Sequence, residues 1–113
     1  MNMTVFEYKV EPTEELQVSG IIRIKRPSLV EFMRMLKSAG YKANDEGKYE
    51  ASDSTDAMCF MIEHMKGFIE SVAISFKGND ITDWDTLTRI GDLWSLQTSV
   101  VGAFSSGFKA GKN

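Results

Sequence analysis

Cysteine, histidine and proline are scarce in this chain of 113 residues, with one, one and two of each. A single cysteine, Cys59, excludes an intramolecular disulfide and points to a reducing compartment, the cytoplasm. One cysteine and one histidine fall short of the three or four nitrogen, sulfur or carboxylate ligands that zinc requires. The opening "MNMTVFEYKVEP" lacks the basic start and apolar run of a secretory signal. No stretch approaches the roughly 18 apolar residues of a membrane span, so no membrane is expected as a partner. Basic charge is not in surplus either: thirteen basic against sixteen acidic residues give a net charge of −3. That balance lacks the footprint of a nucleic-acid binder.

Nucleotide and nucleophile chemistry are equally thin. There is no GxGxxG and no GxxxxGK[ST], so no phosphate-cradling loop is expected. His64 follows Cys59 by five residues, about 140° around a helix, which separates a thiolate from its base. The expected roles are plain ones, with Cys59 packed as a small hydrophobe and His64 on a wet flank. No catalytic, cofactor-binding or metal-binding residue is expected, and the chain reads as a non-enzyme needing no cofactor.

What is present is enough for one core. A composition 42% hydrophobic and 26% charged is globular. A chain of this mass removes about two-thirds of its surface from water on folding. The expected fold is α+β in a single domain, 1–113. An N-terminal β-hairpin, with an extended segment as a third strand, packs against three or four helices that include a long C-terminal one.

The hairpin occupies 1–27. Phe6, Tyr8 and Val10 alternate with polar neighbours, "EPTEE" breaks the run, and Leu16, Val18, Ile22 and Ile24 resume it. Gly20 marks a bulge or bend. Arg23, Lys25 and Arg26 face outward as a solvated edge that blocks sheet pairing. Two helices follow over 28–66. Ser28 and Glu31 form a capping box for a stripe of Leu29, Phe32, Met33 and Leu36, and Gly40 stops that helix. "YKANDEGKYEASDS" is a polar loop. Ser52 or Asp53 caps a second stripe of Ala57, Met58, Met61, Ile62 and Met65, which Gly67 terminates. The seven methionines suit core filling, or an adaptable binding surface. Segment 68–77 alternates as a strand would, although a short apolar run is ambiguous by periodicity alone.

"FKGNDITDWDTL" crowds Asn79, Asp80, Asp83 and Asp85 together, which raises a cation site. Counting a calcium loop from Asp80 puts Asp85 where the glycine belongs and Gly91 where the glutamate belongs. The better reading is a turn at 77–80 followed by Asp83 as helix cap, with Asp85 favouring the helix dipole. A helix then runs over 83–107, and a polar tail over 108–113. Leu87, Ile90, Leu93, Trp94, Leu96, Val100, Val101, Phe104 and Phe108 share an arc of roughly 180°, interrupted by Arg89 and Gln97. Gly91 kinks or restarts the helix, with Asp92 as the new cap.

An arc that wide is either wrapped by its own domain or meets a partner along one edge. The partner-facing residues expected are Trp94 and Val101, joined by Trp84 and Leu87 near the start. The opposite seam of small residues, Thr88, Gly91, Ser95, Thr98 and Gly102, reads as a plain solvated face.

Two segments carry a family pattern: "IIRIKRPSLVEFMRML" and "FIESVAISFKGNDITDWDTLTRIGDLWSLQTSVVGAF", the latter ending in L-x2-I-x2-L-x2-L. From Ile21 to Phe104 the chain resembles the tail assembly chaperones of long-tailed bacteriophages, while its N-terminal strands depart from the mostly helical members. The resemblance implies no catalysis. It implies that the partners are a tape-measure protein and tail-tube subunits, and that weak contacts are multiplied by self-association as a homo-oligomer. It also implies a longer product made by a −1 frameshift. Codons GGA, AAA and AAC for Gly111, Lys112 and Asn113 would contain the slippery run, though synonymous codons spell the same residues. The alternative is a small phage-encoded or bacterial binding module, an inhibitor or adaptor of a host protein.

Overall fold

The computed structural model describes residues 4–110. Its architecture is α+β: helices cover one face of an antiparallel four-stranded sheet of order β1-β2-β5-β6. Strands β1 (Thr4–Val10) and β2 (Val18–Arg26) form the N-terminal hairpin, with Phe6 opposite Ile24 and Tyr8 opposite Ile22. Alternation puts Ile22 and Ile24 inward, fully buried, while Glu7 and Arg23 pair on the outer face at 2.8 Å. β5 (Ile69–Phe76) is the third strand and joins the open side of β2, burying Val72, Ile74 and Phe76. This makes β2 a central strand, so Arg23, Lys25 and Arg26 lie on no sheet edge. Gly20 is not a bulge: the ladder runs through it, and the register shift falls between Arg23 and Ile24.

Lys77 and Gly78 both have positive φ, 51° and 78°. Two such residues make a primed two-residue turn, whose twist suits a hairpin. The ladder therefore resumes at once in β6 (Asn79–Ile81), and Asn79 and Asp80 are strand rather than turn residues.

Helix α1 (Leu29–Ser38) starts at Ser28, whose hydroxyl accepts the Glu31 amide at 3.2 Å. It ends before Gly40 at φ 96°. The segment after it is not a loop. β3 (Tyr41–Ala43) and β4 (Tyr49–Ala51) form a second hairpin. The Asn44 carboxamide oxygen accepts the amides of Glu46 and Lys48 at 2.9 Å each, closing the turn locally. Strands of three residues are too short to show a period, which is why sequence hides them. Helix α2 (Ser54–Met65) is capped by Asp53 and passes into a 3₁₀ turn, Lys66–Phe68, that contains Gly67.

The expected helix over 83–107 is broken. α3 (Trp84–Thr88) stops after little more than one turn, Ile90 is extended, and a 3₁₀ turn at Gly91–Leu93 leads into α4 (Trp94–Ala110). Asp92 caps nothing and instead faces Lys77 at 3.6 Å. At the break the Leu87 and Ile90 carbonyls accept 3₁₀-type bonds from the Ile90 and Leu93 amides at 3.3 and 3.0 Å, and the buried Gln97 amide donates to both as well, at 2.9 and 3.3 Å. Burying that amide is tolerable because its donors are satisfied. α4 outlasts the expected end at 107, and tail residues 111–113 lie outside the described residues. The core forms where Phe32, Met61, Met65, Leu87, Leu93 and Phe104 meet the sheet.

No helix among the described residues is long and apolar enough to cross a membrane.

Candidate functional site: a groove beside the second hairpin

The apolar positions of α1 fall on two stripes rather than one. Phe32 and Met35 point into the core. Leu29 and Val30 stay 60% and 58% exposed, and Met33 is half-buried on the same side. Leu29 therefore leaves the core stripe expected for it. The β3–β4 hairpin stands beside this second stripe and contributes Tyr41 and Tyr49.

Between them lies a groove with two arms that share Leu29, Met33, Tyr41 and Tyr49. One arm, of about 570 Å³, reaches toward α2 and α4 and is lined by Phe32, Met58 and Val101. The other, of about 630 Å³, opens outward past Val30, Arg34, Lys37 and Lys42. Thr98 and Gly102 of the small-residue seam line the inner arm, so part of that seam borders a cleft.

The four residues expected to face a partner separate. Trp84 and Leu87 belong to the core, 4% and 0% exposed. The Trp84 indole donates to the Ile62 carbonyl at 2.8 Å, which fixes α3 on α2. The break at Ile90 turns these two side chains inward and removes them from any partner surface. Val101 is buried at 5% yet lines the inner arm. Trp94 is 66% exposed. At about 100° per residue it lies within roughly 40° of Thr98, Val101 and Ser105, and so extends the α4 wall by one turn. Sequence reasoning missed Leu29, Val30, Tyr41 and Tyr49. Their signals were an adjacent Leu-Val pair, of which one member always leaves a single stripe, and two tyrosines flanking a polar turn.

The polar groups form a different pattern. Cys59 is exposed, against the expectation that it packs inside. His64 is exposed, stacks on Phe60 with ring centres 3.8 Å apart, and has its Nδ1 3.2 Å from the Phe60 carbonyl. Among the described residues no three of His, Cys, Asp or Glu come together in a metal-binding group. Arg26 lies over the Phe6 ring at 3.9 Å and donates to the Ala103 carbonyl at 3.3 Å. Asp85 pairs with Lys66 at 2.6 Å.

Asp83 accepts the Thr86 amide at 2.6 Å and the Thr86 hydroxyl at 2.9 Å, capping α3. The amide first and then the hydroxyl hold its carboxyl below its ordinary value of 3.8. A depressed carboxylate contributes stability above its unfolded pKa and loses it as pH falls through the folded one. Asp83→Asn keeps a cap of similar quality without that titration. Urea unfolding from about pH 5 down to pH 2 should then show the wild type losing more stability than the variant. Parallel loss in both would remove Asp83 from the acid response.

No protein-family model matches the chain, and neither a curated protein nor a solved structure does. Fold and surface define an α+β domain with an apolar groove between α1 and the second hairpin.

Proposed function

We propose that this chain is a non-catalytic protein-binding domain that serves as a tail assembly chaperone, holding a phage tape-measure protein soluble while tail-tube subunits assemble around it. One observation carries the binding role: Leu29, Val30 and Tyr49, three of the five large hydrophobic residues left exposed among the described residues, gather on one groove. A soluble domain rarely spends apolar surface in this way without a partner for it. Trp94 adds an exposed indole of the kind that anchors interfaces. The assembly task itself rests on the resemblance of Ile21 to Phe104 to such chaperones. A groove offering several weak contacts suits a long client that must later be released.

The reading requires a tape-measure gene adjoining this one, and the test is co-expression of its product with this chain. The client should move from the insoluble to the soluble fraction and co-purify with this chain. A client equally insoluble with and without the chain would end the chaperone reading.

Two neighbouring residues separate binding from folding. Trp94→Ala should change stability by no more than about 0.5 kcal/mol, because the side chain is largely in water. It should still weaken the client complex at least tenfold, as loss of an interface anchor does. Leu93, fully buried next to it, should cost about 2–5 kcal/mol as Leu93→Ala. Equal losses of thermal stability in the two variants, with binding intact, would remove Trp94 from the interface.

A further inference from the structure

We propose that the groove takes an acidic amphipathic segment of its partner, one that alternates apolar side chains with aspartate or glutamate. The inference rests on the protein-binding role and specifies its chemistry. The chain as a whole is acidic, sixteen acidic residues against thirteen basic. The groove reverses that balance: its lining includes Arg34, Lys37, Lys42 and Lys48 and no carboxylate. Arg34 and Lys37 lie one turn apart on α1, and Lys42 projects from β3 beside them.

Their charge is not used internally. Among the described residues Arg34, Lys37 and Lys42 form no ion pair, and Lys48 has only Glu46 at 3.8 Å on the open surface. Glu31, held by the Ser28 hydroxyl, and Glu50, opposite Lys42 and held by the Asn44 amide, keep their charge but line neither arm. Apolar walls with an unpaired basic rim complement a ligand of apolar face and acidic flanks. The rim sets orientation and encounter rate, and the apolar contacts set residence time.

Other occupants fit less well. A second copy docking groove to groove through a two-fold axis would place Arg34, Lys37 and Lys42 against themselves. An anionic bilayer presents one broad surface, whereas the inner arm carries the groove on toward α2 and α4, past Phe32, Met58 and Val101, where a bilayer cannot follow.

The experiment selects peptides from a displayed random 16-residue library on the purified full chain. Enriched peptides are then tested against Leu29→Gln/Val30→Gln and Arg34→Glu/Lys37→Glu. All four positions are exposed, and unchanged melting curves confirm that each variant folds. Enriched peptides should combine large apolar residues with a net excess of acid. They should lose at least tenfold in affinity on either variant, as loss of anchors or of rim charge demands. Their binding should weaken with added salt. Peptides without acidic excess, or acidic peptides indifferent to charge reversal, overturn the acidic ligand but leave protein binding at the groove intact. An absence of enrichment, or peptides indifferent to Leu29→Gln/Val30→Gln, overturns the groove as well. Two control results would also overturn the proposal. One is tighter binding to phosphatidylglycerol vesicles than to any peptide; the other is a dimer in sedimentation that Leu29→Gln/Val30→Gln dissolves.

Discussion

Replacing Gly20 with alanine is expected to destabilise the protein by more than about 4 kcal/mol, a cost reached only by a few specific mechanisms. Two of them combine here. Gly20 has φ 143°, a backbone geometry that L side chains rarely adopt. It also sits mid-ladder in β2, opposite Val10 of β1 and Ile74 of β5. A Cβ at this position would run into the Ala73 carbonyl oxygen and come within 2.9 Å of the Ala73 carbonyl carbon and Ile74 Cα. All three are backbone atoms of the neighbouring strand, so no side chain can swing aside. Relief requires β2 and β5 to separate, and their inward faces carry Ile22, Ile24, Val72 and Ile74 of the core. A domain of this size has only about 5–15 kcal/mol in total. Gly102→Ala is the matched contrast, because a Cβ there meets nothing within 4 Å. On an exposed helix that change should be neutral or stabilising by up to about 1 kcal/mol. Urea denaturation reads both. A Gly20→Ala cost below about 1 kcal/mol would mean that the strands do not approach this closely.

Gly20 also shows what a sequence conceals. Its presence in an alternating run signals something unusual, but not whether the cause is an extra residue or a close neighbour. The neighbour is β5, whose Ala73 and Ile74 lie more than fifty positions along the chain, and no local pattern reports it. Elements with a long period were readable: the first hairpin from Phe6, Tyr8 and Val10, and α1 from its Ser28 cap. The second hairpin was not, since it depends on Asn44 hydrogen-bonding its own turn and has too few residues to alternate. The break before α4 was half readable. Gly91 marked the place, but the residue that makes it tolerable is Gln97, which counted only as an interruption of an apolar arc. A buried amide bridging the Leu87 and Ile90 carbonyls looks, in sequence, like any polar residue.

The groove was harder still, because its residues were legible as hydrophobic but not as uncovered. Leu29 and Phe32 fit one helical stripe equally well. Only the position of α4, whose Phe104 meets Phe32, decides that Phe32 is buried while Leu29 stays in water. Trp84 and Leu87 fail as partner residues for the converse reason. On an unbroken helix Leu87 would fall about 20° from Trp94 and Trp84 about 80° away, and the turn at Ile90 redirects both inward.

The second large effect is expected at Phe104, where the core and the groove share a support. Its ring is fully buried in α4. Phe32 meets it edge-on with centres 5.8 Å apart, and Phe68 lies tilted against it at 5.5 Å. Phe104→Ala removes this central ring from a close-packed site and leaves a cavity, which costs about 3–5 kcal/mol. At roughly 4 °C per kcal/mol for a domain of this size, the melting temperature should fall by about 12–20 °C. Phe104→Leu retains most of the volume and should cost well under half as much. The consequence reaches function through Phe32, which lines the inner arm of the groove and rests on Phe104. If the groove binds the proposed client, affinity of Phe104→Ala, measured well below its melting temperature, should therefore fall as well, whereas Trp94→Ala should lower affinity with stability intact. A Phe104→Ala protein that melts with the wild type would contradict the aromatic packing on which both core and groove depend. One that loses stability but binds client fully would show that the Phe32 wall holds its shape without the ring behind it.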